Sequence, residues 1–185
     1  MGEHKDRMLR GELYKDSDPD LVAERRRAQG LIDRFNATSA EETGLRDTLL
    51  RSLLGKLGEG SWIMPRFQCD YGYLIEIGSN SFLNYDAILL DCAKITIGDD
   101  VSIGPRVQLL TALHPIEDHE ARRQRWESAA PITIGNNVWF GGGVTVCAGV
   151  TIGEDTVVGA GSVVTRDLPS KVLAVGNPAR VIRQL

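Results

Sequence analysis

One number governs the chain from about residue 61 onward: apolar residues recur at every sixth position. Ile134, Phe140, Val146, Ile152, Val158 and Val164 form an unbroken series, and an earlier pair runs Ile77, Leu83, Leu89, Ile95 and, after a two-residue phase shift, Ile97, Ile103, Leu109. The next residue is often glycine (Gly78, Gly98, Gly104, Gly135, Gly141, Gly153, Gly159), and the fourth after is small or β-branched. A period of six fits neither an isolated helix nor a hairpin. It fits a short strand and a sharp turn, repeated so that equivalent residues stack, three sides closing one eighteen-residue coil. The apolar residue of each hexad then points inward, and glycine relieves the corner where a Cβ would crowd. Stacked coils pair their strands in parallel and cover one another's edges.

The repeat accounts for an oddity of composition. Glycine occupies 20 of 185 positions, above the usual ~7%, yet there is no Gly-X-Y period and the aliphatic content is high, which excludes collagen and low complexity. A formal net charge of −4 lacks the basic footprint of a nucleic-acid binder. Cys69, Cys92 and Cys147 are odd in number and form no C-x-x-C; a disulfide framework or zinc knuckle is not expected, and buried thiols in a reducing cytosol are. The first residues, MGEHKDRMLRGELY, carry charges where a signal peptide needs an apolar core, and no run approaches the ~18 apolar residues of a membrane span. The expectation is a soluble, cytoplasmic protein.

The first sixty residues have a different texture. They hold 11 of the 21 Lys+Arg and 12 of the 25 Asp+Glu, and their apolar residues are spaced at three or four, which is helical. Asp18-Pro19 reads as an N-cap followed by proline at the first helical position, and Ser39-x-x-Glu42 as a capping box. Helices are predicted over about 4–14, 19–36 and 40–54, making residues 1–60 a helical module and 61–185 the solenoid. The hexads lapse once, over 110–131, and residues 166–185 follow the last of them as a C-terminal extension. A long loop inside a regular solenoid is functional or disordered, and this one holds both histidines, His114 and His119, that lie outside the N-terminus.

His114 precedes Pro115, which restricts the histidine's backbone, and an imidazole near its ordinary pKa can accept a proton from an attacking hydroxyl. Glu127, at the far end of the loop, is a candidate to orient it. Trp139 can present a flat face to a ligand, and Gly141 to Gly143 leave backbone amides open to close approach. Arg180 and Arg183 form a small basic group suited to phosphates.

The hexads resemble those of the hexapeptide-repeat transferases. The ordered set Met8-x-x-Gly11-Glu12-Leu13-Tyr14, Cys69-Asp70-Tyr71-Gly72-Tyr73, Asn84-Tyr85-Asp86, His114-Pro115-Ile116, Pro131 to Trp139 and Gly176-Asn177-Pro178-Ala179-Arg180 is similar to the maltose, galactoside and nodulation sugar O-acetyltransferases, over nearly the whole chain. The resemblance implies a left-handed parallel β-helix with an N-terminal helical module and one protruding loop. It also implies acetyl transfer from acetyl-CoA to a sugar hydroxyl of maltose or glucose type, with no metal, and a homotrimer with sites between subunits. Residue by residue it implies His114 as general base and Asn84 beside it, acceptor contacts at Asp16, Arg25, Asp70 and Asp91, and coenzyme contacts at Trp139, Gly142, Ala160, Thr165, Arg166, Arg180 and Arg183. Two positions depart from the pattern: Arg166 stands where lysine is common, and Gly142 where galactoside enzymes have serine. A galactoside, amino sugar or serine is the alternative acceptor. Two rivals use the same scaffold. A metal-dependent hydratase of the gamma carbonic anhydrase type would use His114-x-x-x-x-His119 but lacks a third histidine, and a non-catalytic assembly scaffold would need no special residue at His114 or Asn84.

Overall fold

The structure, a computed structural model, describes residues 2–185. The six-residue period becomes a three-faced parallel β-helix. Successive strands rotate through the faces and return to the first one coil later. The first face holds five strands, Lys56–Leu57, Ile75–Ile77, Ile95–Ile97, Ile132–Ile134 and Thr151–Ile152. The second holds Trp62–Ile63, Phe82–Leu83, Ser102–Ile103, Trp139–Phe140, Val157–Val158 and Val172–Val175, all parallel, and ends on Arg180–Gln184, which turns back antiparallel. The third holds Phe67–Cys69, Ala87–Leu90, Gln108–Leu110, Thr145–Val146 and Val163–Val164.

Register stacks like on like. On the second face Ile63, Leu83, Ile103, Phe140, Val158 and Ala174 are successive cross-strand partners, all buried, and the other faces add Ile77, Ile97, Ile134 and Ile152, then Leu89, Leu109, Val146 and Val164. One contiguous apolar column results, and its burial is the main stabilising term. The corner glycines permit the stacking: a Cβ on Gly58 would lie 2.3 Å from the carbonyl carbon of Gly78 in the next coil.

The phase shift has a physical source. Equivalent residues in the first coils, such as Leu57, Ile77 and Ile97, are twenty apart, whereas Ile134 and Ile152 are eighteen apart. The two extra residues sit at the corner between the third and first faces, in 70–74 and 91–94, and the long excursion leaves from the same corner. All major irregularity of the solenoid is gathered there.

The helices cover that irregular side and the start of the column. Among the described residues there are four: α1 (Glu3–Leu9), α2 (Pro19–Asn36), α3 (Thr43–Leu53) and α4 (His119–Arg123). The Asp18 carboxylate accepts from the Asp20 amide at 2.9 Å, and Pro19 opens α2. α1 is shorter than predicted: Gly11, at φ +71°, turns the chain out of the helix, and Tyr14–Lys15 becomes a strand. At Ser39-x-x-Glu42 only the glutamate half of the capping box forms, its carboxylate accepting from the Ser39 amide at 2.8 Å, and α3 starts later, at Thr43. At its C-terminus α2 caps the open edge of the first third-face strand. The Asn36 amide donates to the Phe67 carbonyl and accepts from the Phe67 N–H, both at 2.9 Å, in place of a missing coil.

Two boundaries move. The solenoid begins at Lys56, inside the predicted helical module. Residues 166–185, predicted as an extension, contribute a further coil side, since Val172–Val175 pairs in parallel with Val157–Val158. Among the described residues no helix is long and apolar enough to cross a membrane. Cys69 and Cys92 are buried and Cys147 half-buried, all as free thiols.

Candidate active site

The excursion is an ordered hairpin. Ala112–Leu113 runs out, α4 makes the tip, and Trp126–Ala129 returns antiparallel, Leu113 opposite Ser128. The head then joins it: Tyr14–Lys15 forms the third strand, with Tyr14 opposite Glu127. A second, smaller core lies beneath, built from Met8, Tyr14, Leu21, Tyr71, Cys92 and Ala129. Helical module, widened corner and loop thus fold together around one place.

That place is a cleft of about 460 Å³ lined by Asp16, His114, Arg122, Arg125 and Glu127. The His114 side chain is 59% exposed, and its Nε2 lies 3.9 Å from Oε2 of Glu127, whose side chain is only 12% exposed. Burial pushes the Glu127 carboxyl up, as does nearby Asp16, while His114 pulls it down. Arg122 donates to the carbonyls of Pro115 (2.7 Å) and Ile116 (2.8 Å), pinning the chain just after His114.

Behind the cleft, Arg25 donates to the Asp16 carbonyl at 2.7 Å and to the Tyr71 hydroxyl at 2.9 Å. The Cys92 thiol donates to Oδ2 of Asp70 at 3.4 Å, and burial holds the Asp70 carboxyl above its ordinary value against the opposing pull of Cys92 and Arg25. Asp16, Arg25 and Asp70 are therefore gathered in one neighbourhood behind the cleft.

Asp91 requires a correction. It is fully buried, and its carboxylate accepts from the backbone amides of Asp70 (3.0 Å), Tyr71 (2.8 Å) and Leu74 (3.4 Å). It shapes the 70–74 turn from behind and offers no free oxygen face to a ligand. Sequence reasoning also missed Tyr71 and Cys92, which touch Arg25 and Asp70; their presence in the same widened corners was the available signal.

Asn84 is not brought to His114 within one chain. It lies at the corner between the second and third faces, its Oδ1 accepting from the Tyr85 amide at 2.8 Å, beside a groove of about 760 Å³ lined in part by Tyr85, Arg106 and Gly142. The coenzyme candidates divide in the same way. Trp139, 56% exposed, sits on the outer surface of the second face, in one file of cross-strand partners with Val157, Leu173 and Arg183. At ~4.8 Å per strand that file puts about 14 Å between Trp139 and Arg183. Arg180 shares Arg183's strand, and Gly142 and Ala160 occupy successive coils of the adjoining corner, where Gly161 donates to the Gly142 carbonyl at 2.9 Å. Thr165 and Arg166 instead follow the last third-face strand, at the loop's corner. The expectation of open amides at Gly141 to Gly143 narrows: Gly141 donates to Val158 and Gly143 to Pro105, both at 2.8 Å. The Gly142 amide alone remains without a partner among the described residues.

His119 turns its Nδ1 to the Arg122 guanidinium at 3.0 Å, a poor neighbour for a cation. Among the described residues no group of three His, Cys, Asp or Glu is placed to hold a metal.

Comparison with known proteins fits this architecture. Residues 7–58 match the maltose acetyltransferase hexapeptide capping motif, and residues 131–166 match the bacterial transferase hexapeptide (six repeats). A maltose O-acetyltransferase from Clostridium difficile 630 superposes with a TM-score of 0.97 at 47% identity, over 98% of this chain and 97% of that one. A galactoside acetyltransferase in complex with coenzyme A gives a TM-score of 0.94 at 40% identity, over 98% and 90%. Nodulation protein L of Rhizobium meliloti (strain 1021) is 45% identical over 96% of both chains. Coil, capping module and near full-length identity agree, and the chain belongs to the hexapeptide-repeat sugar O-acetyltransferases of the maltose, galactoside and nodulation acetyltransferase family.

Proposed function

We propose that the protein transfers the acetyl group of acetyl-CoA to a hydroxyl of a sugar of maltose or glucose type by direct attack, with His114 as the general base. The observation that carries this reading is the His114–Glu127 pair facing across the cleft at 3.9 Å, beside the donors and acceptors of Asp16, Arg25 and Asp70. A hydroxyl-rich acceptor needs such a set.

The sugar oxygen attacks the thioester carbonyl while its proton passes to the imidazole. Glu127 stabilises the imidazolium that forms, because an opposite charge within ~4–6 Å favours the charged ring. Charge developing on the carbonyl oxygen is suited to the Gly142 amide, free of coil pairing and without a side chain of its own. No covalent enzyme intermediate is needed. Burial pushes the Cys69 and Cys92 thiols far up, so neither supplies a thiolate nucleophile.

The donor is assigned to Trp139, Gly142, Ala160, Thr165, Arg166, Arg180 and Arg183. The exposed indole offers a flat apolar face, and the arginines offer paired donors for phosphates. These residues lie at two different edges, and Asn84 lies at a different corner from His114; both separations support a homotrimer in which neighbouring subunits complete each site. The coenzyme A complex of the galactoside relative supports the donor assignment.

Replacing His114 by Ala tests the reading. The variant is expected to fold, since the side chain is mostly exposed, and to lose on the order of 10²–10⁴-fold in kcat in a thiol-release assay with maltose and glucose. Turnover near that of the wild type would overturn the mechanism.

A further inference from the structure

Asp70 is the least supported carboxylate around the His114 cleft. Asp16 pairs with Arg25 at 3.5 Å, Glu127 faces His114 at 3.9 Å, and Asp91 accepts from three backbone amides. Arg25 is the cation that acts on Asp70, but its two terminal nitrogens are committed to Asp16 and Tyr71. Among the described residues one hydrogen bond reaches the Asp70 side chain, from the Cys92 thiol to Oδ2 at 3.4 Å, and Oδ1 has none. The thiol is a donor at every working pH, because burial pushes it far up and keeps its proton on. Tyr14, fully buried in the same small core, sets its hydroxyl beside the sulfur and has no nitrogen or oxygen partner among the described residues. The place of Cys92 in the coil explains the pairing. Asp91 and Cys92 are consecutive, in the corner one coil after Asp70 and Tyr71: Asp91 takes the Asp70 backbone amide, and Cys92 takes the carboxylate.

We propose that Cys92 is a positioning residue for the acceptor: its S–H holds Oδ2 of Asp70, so that the carboxylate stays charged and ordered with Oδ1 left to accept from a sugar hydroxyl. The proposal rests on the reading of Asp70 as an acceptor contact and deepens it by adding the residue behind that contact. A half-buried carboxylate with Asp16, Glu127 and Asp91 for neighbours and no hydrogen bond of its own either takes up a proton or turns away to find a donor. In both cases the acceptor loses a charged oxygen, and hydrogen bonds to a charged group are the strong ones. Cys92 acts through Asp70; no bond is made or broken at it.

Initial rates of thiol release with glucose and maltose test this in wild type, Cys92→Ala, Cys92→Ser, Asp70→Asn and the double variant Asp70→Asn with Cys92→Ala. Cys92→Ala should raise the KM for the sugar about tenfold, the low end for a hydrogen bond to a charged group, with the KM for acetyl-CoA within about twofold of wild type. Cys92→Ser restores a donor at the same place and should return the sugar KM to within about threefold. A residue that only fills the core predicts the opposite order, since a serine hydroxyl in an apolar pocket is worse tolerated than alanine. In the Asp70→Asn background, removal of the thiol should change the sugar KM by less than about twofold, because the two residues act as one unit. An unchanged sugar KM in Cys92→Ala, a serine variant no better than alanine, or multiplying effects in the double variant each overturn the proposal; the last comparison decides even where Cys92→Ala lowers Tm. A wild-type sugar KM in Asp70→Asn instead removes the reading of Asp70 as an acceptor contact, and the role of Cys92 with it. Thiol release with neither sugar in the wild type would remove the maltose or glucose reading itself.

Discussion

The regular coils and the irregular corner obey opposite rules. Along the column each inward residue repeats its neighbour's task, so Ile103, Phe140 and Val158 are variants of one position. At the corner between the third and first faces the repeat is stretched by two residues, then interrupted by twenty-two, and the side chains of the candidate acceptor cleft, Asp16, His114 and Glu127, are found there or in the head stitched to it. Repetition builds stability from many equal terms. Chemistry requires residues that differ from their neighbours, and a solenoid obtains them by breaking its own period.

If that division holds, substitutions should separate into stability losses and activity losses. The largest loss of stability is expected at Phe140, fully buried in the column: Phe140→Ala should cost about 3–5 kcal/mol by denaturant unfolding, with kcat of the folded enzyme kept. It is the counterpart of His114→Ala, which should do the reverse, and loss of kcat without loss of stability in Phe140→Ala would break the comparison. Next comes the capped edge. Asn36→Ala leaves the N–H and carbonyl of Phe67 without their amide partner and should destabilise by about 2 kcal/mol, one for each lost hydrogen bond, again at constant kcat. Glu127→Gln keeps the shape of the corner and removes the charge. A fall of about tenfold in kcat, the worth of ~1.4 kcal/mol of transition-state stabilisation, is expected with Tm unchanged, and wild-type kcat would reduce Glu127 to a structural residue.

The smallest effect is a pH slope at Asp91, which belongs to the corner yet acts on stability. Burial pushes its carboxyl up to about 7, against the pull of the amides it accepts from, while in the unfolded chain it titrates near 3.9. Between those values the folded chain holds a proton that the unfolded chain has released. Its contribution is therefore full below pH ~4 and is lost as pH rises through 7. Wild type should lose about 1 kcal/mol relative to Asp91→Asn between pH 6 and pH 8, and a constant difference in Tm across that range would show that Asp91 stays charged throughout.

Much of this was legible beforehand because the signals are local. The six-residue period needs only the chain's own spacing to announce a coil, and Asp18-Pro19 marked the start of α2 because both the cap and the proline act within one turn. Where a distant partner decided, the local signal failed. α1 read as longer because the strand at Tyr14–Lys15 exists only by pairing with residues 126–127. The C-terminal residues read as an extension because Val172–Val175 lacks the glycine phase and finds its place through the Val157 strand. Asp91 read as a ligand contact because nothing in the sequence says that the 70–74 turn will close over it.

What the sequence by itself determined is the column: its period, its inward residues, its glycine corners and the point of interruption follow from spacing and side-chain size alone. The hand of the coil was implied by resemblance, since a period has no handedness. Only the tertiary structure decided which charges meet. That Glu127 lies opposite His114 and that Arg25 is spent on Asp16 and Tyr71 depends on how helix, loop and corner pack together. Pairing between side chains far apart in sequence is fixed by distances of a few ångströms, which no local periodicity encodes.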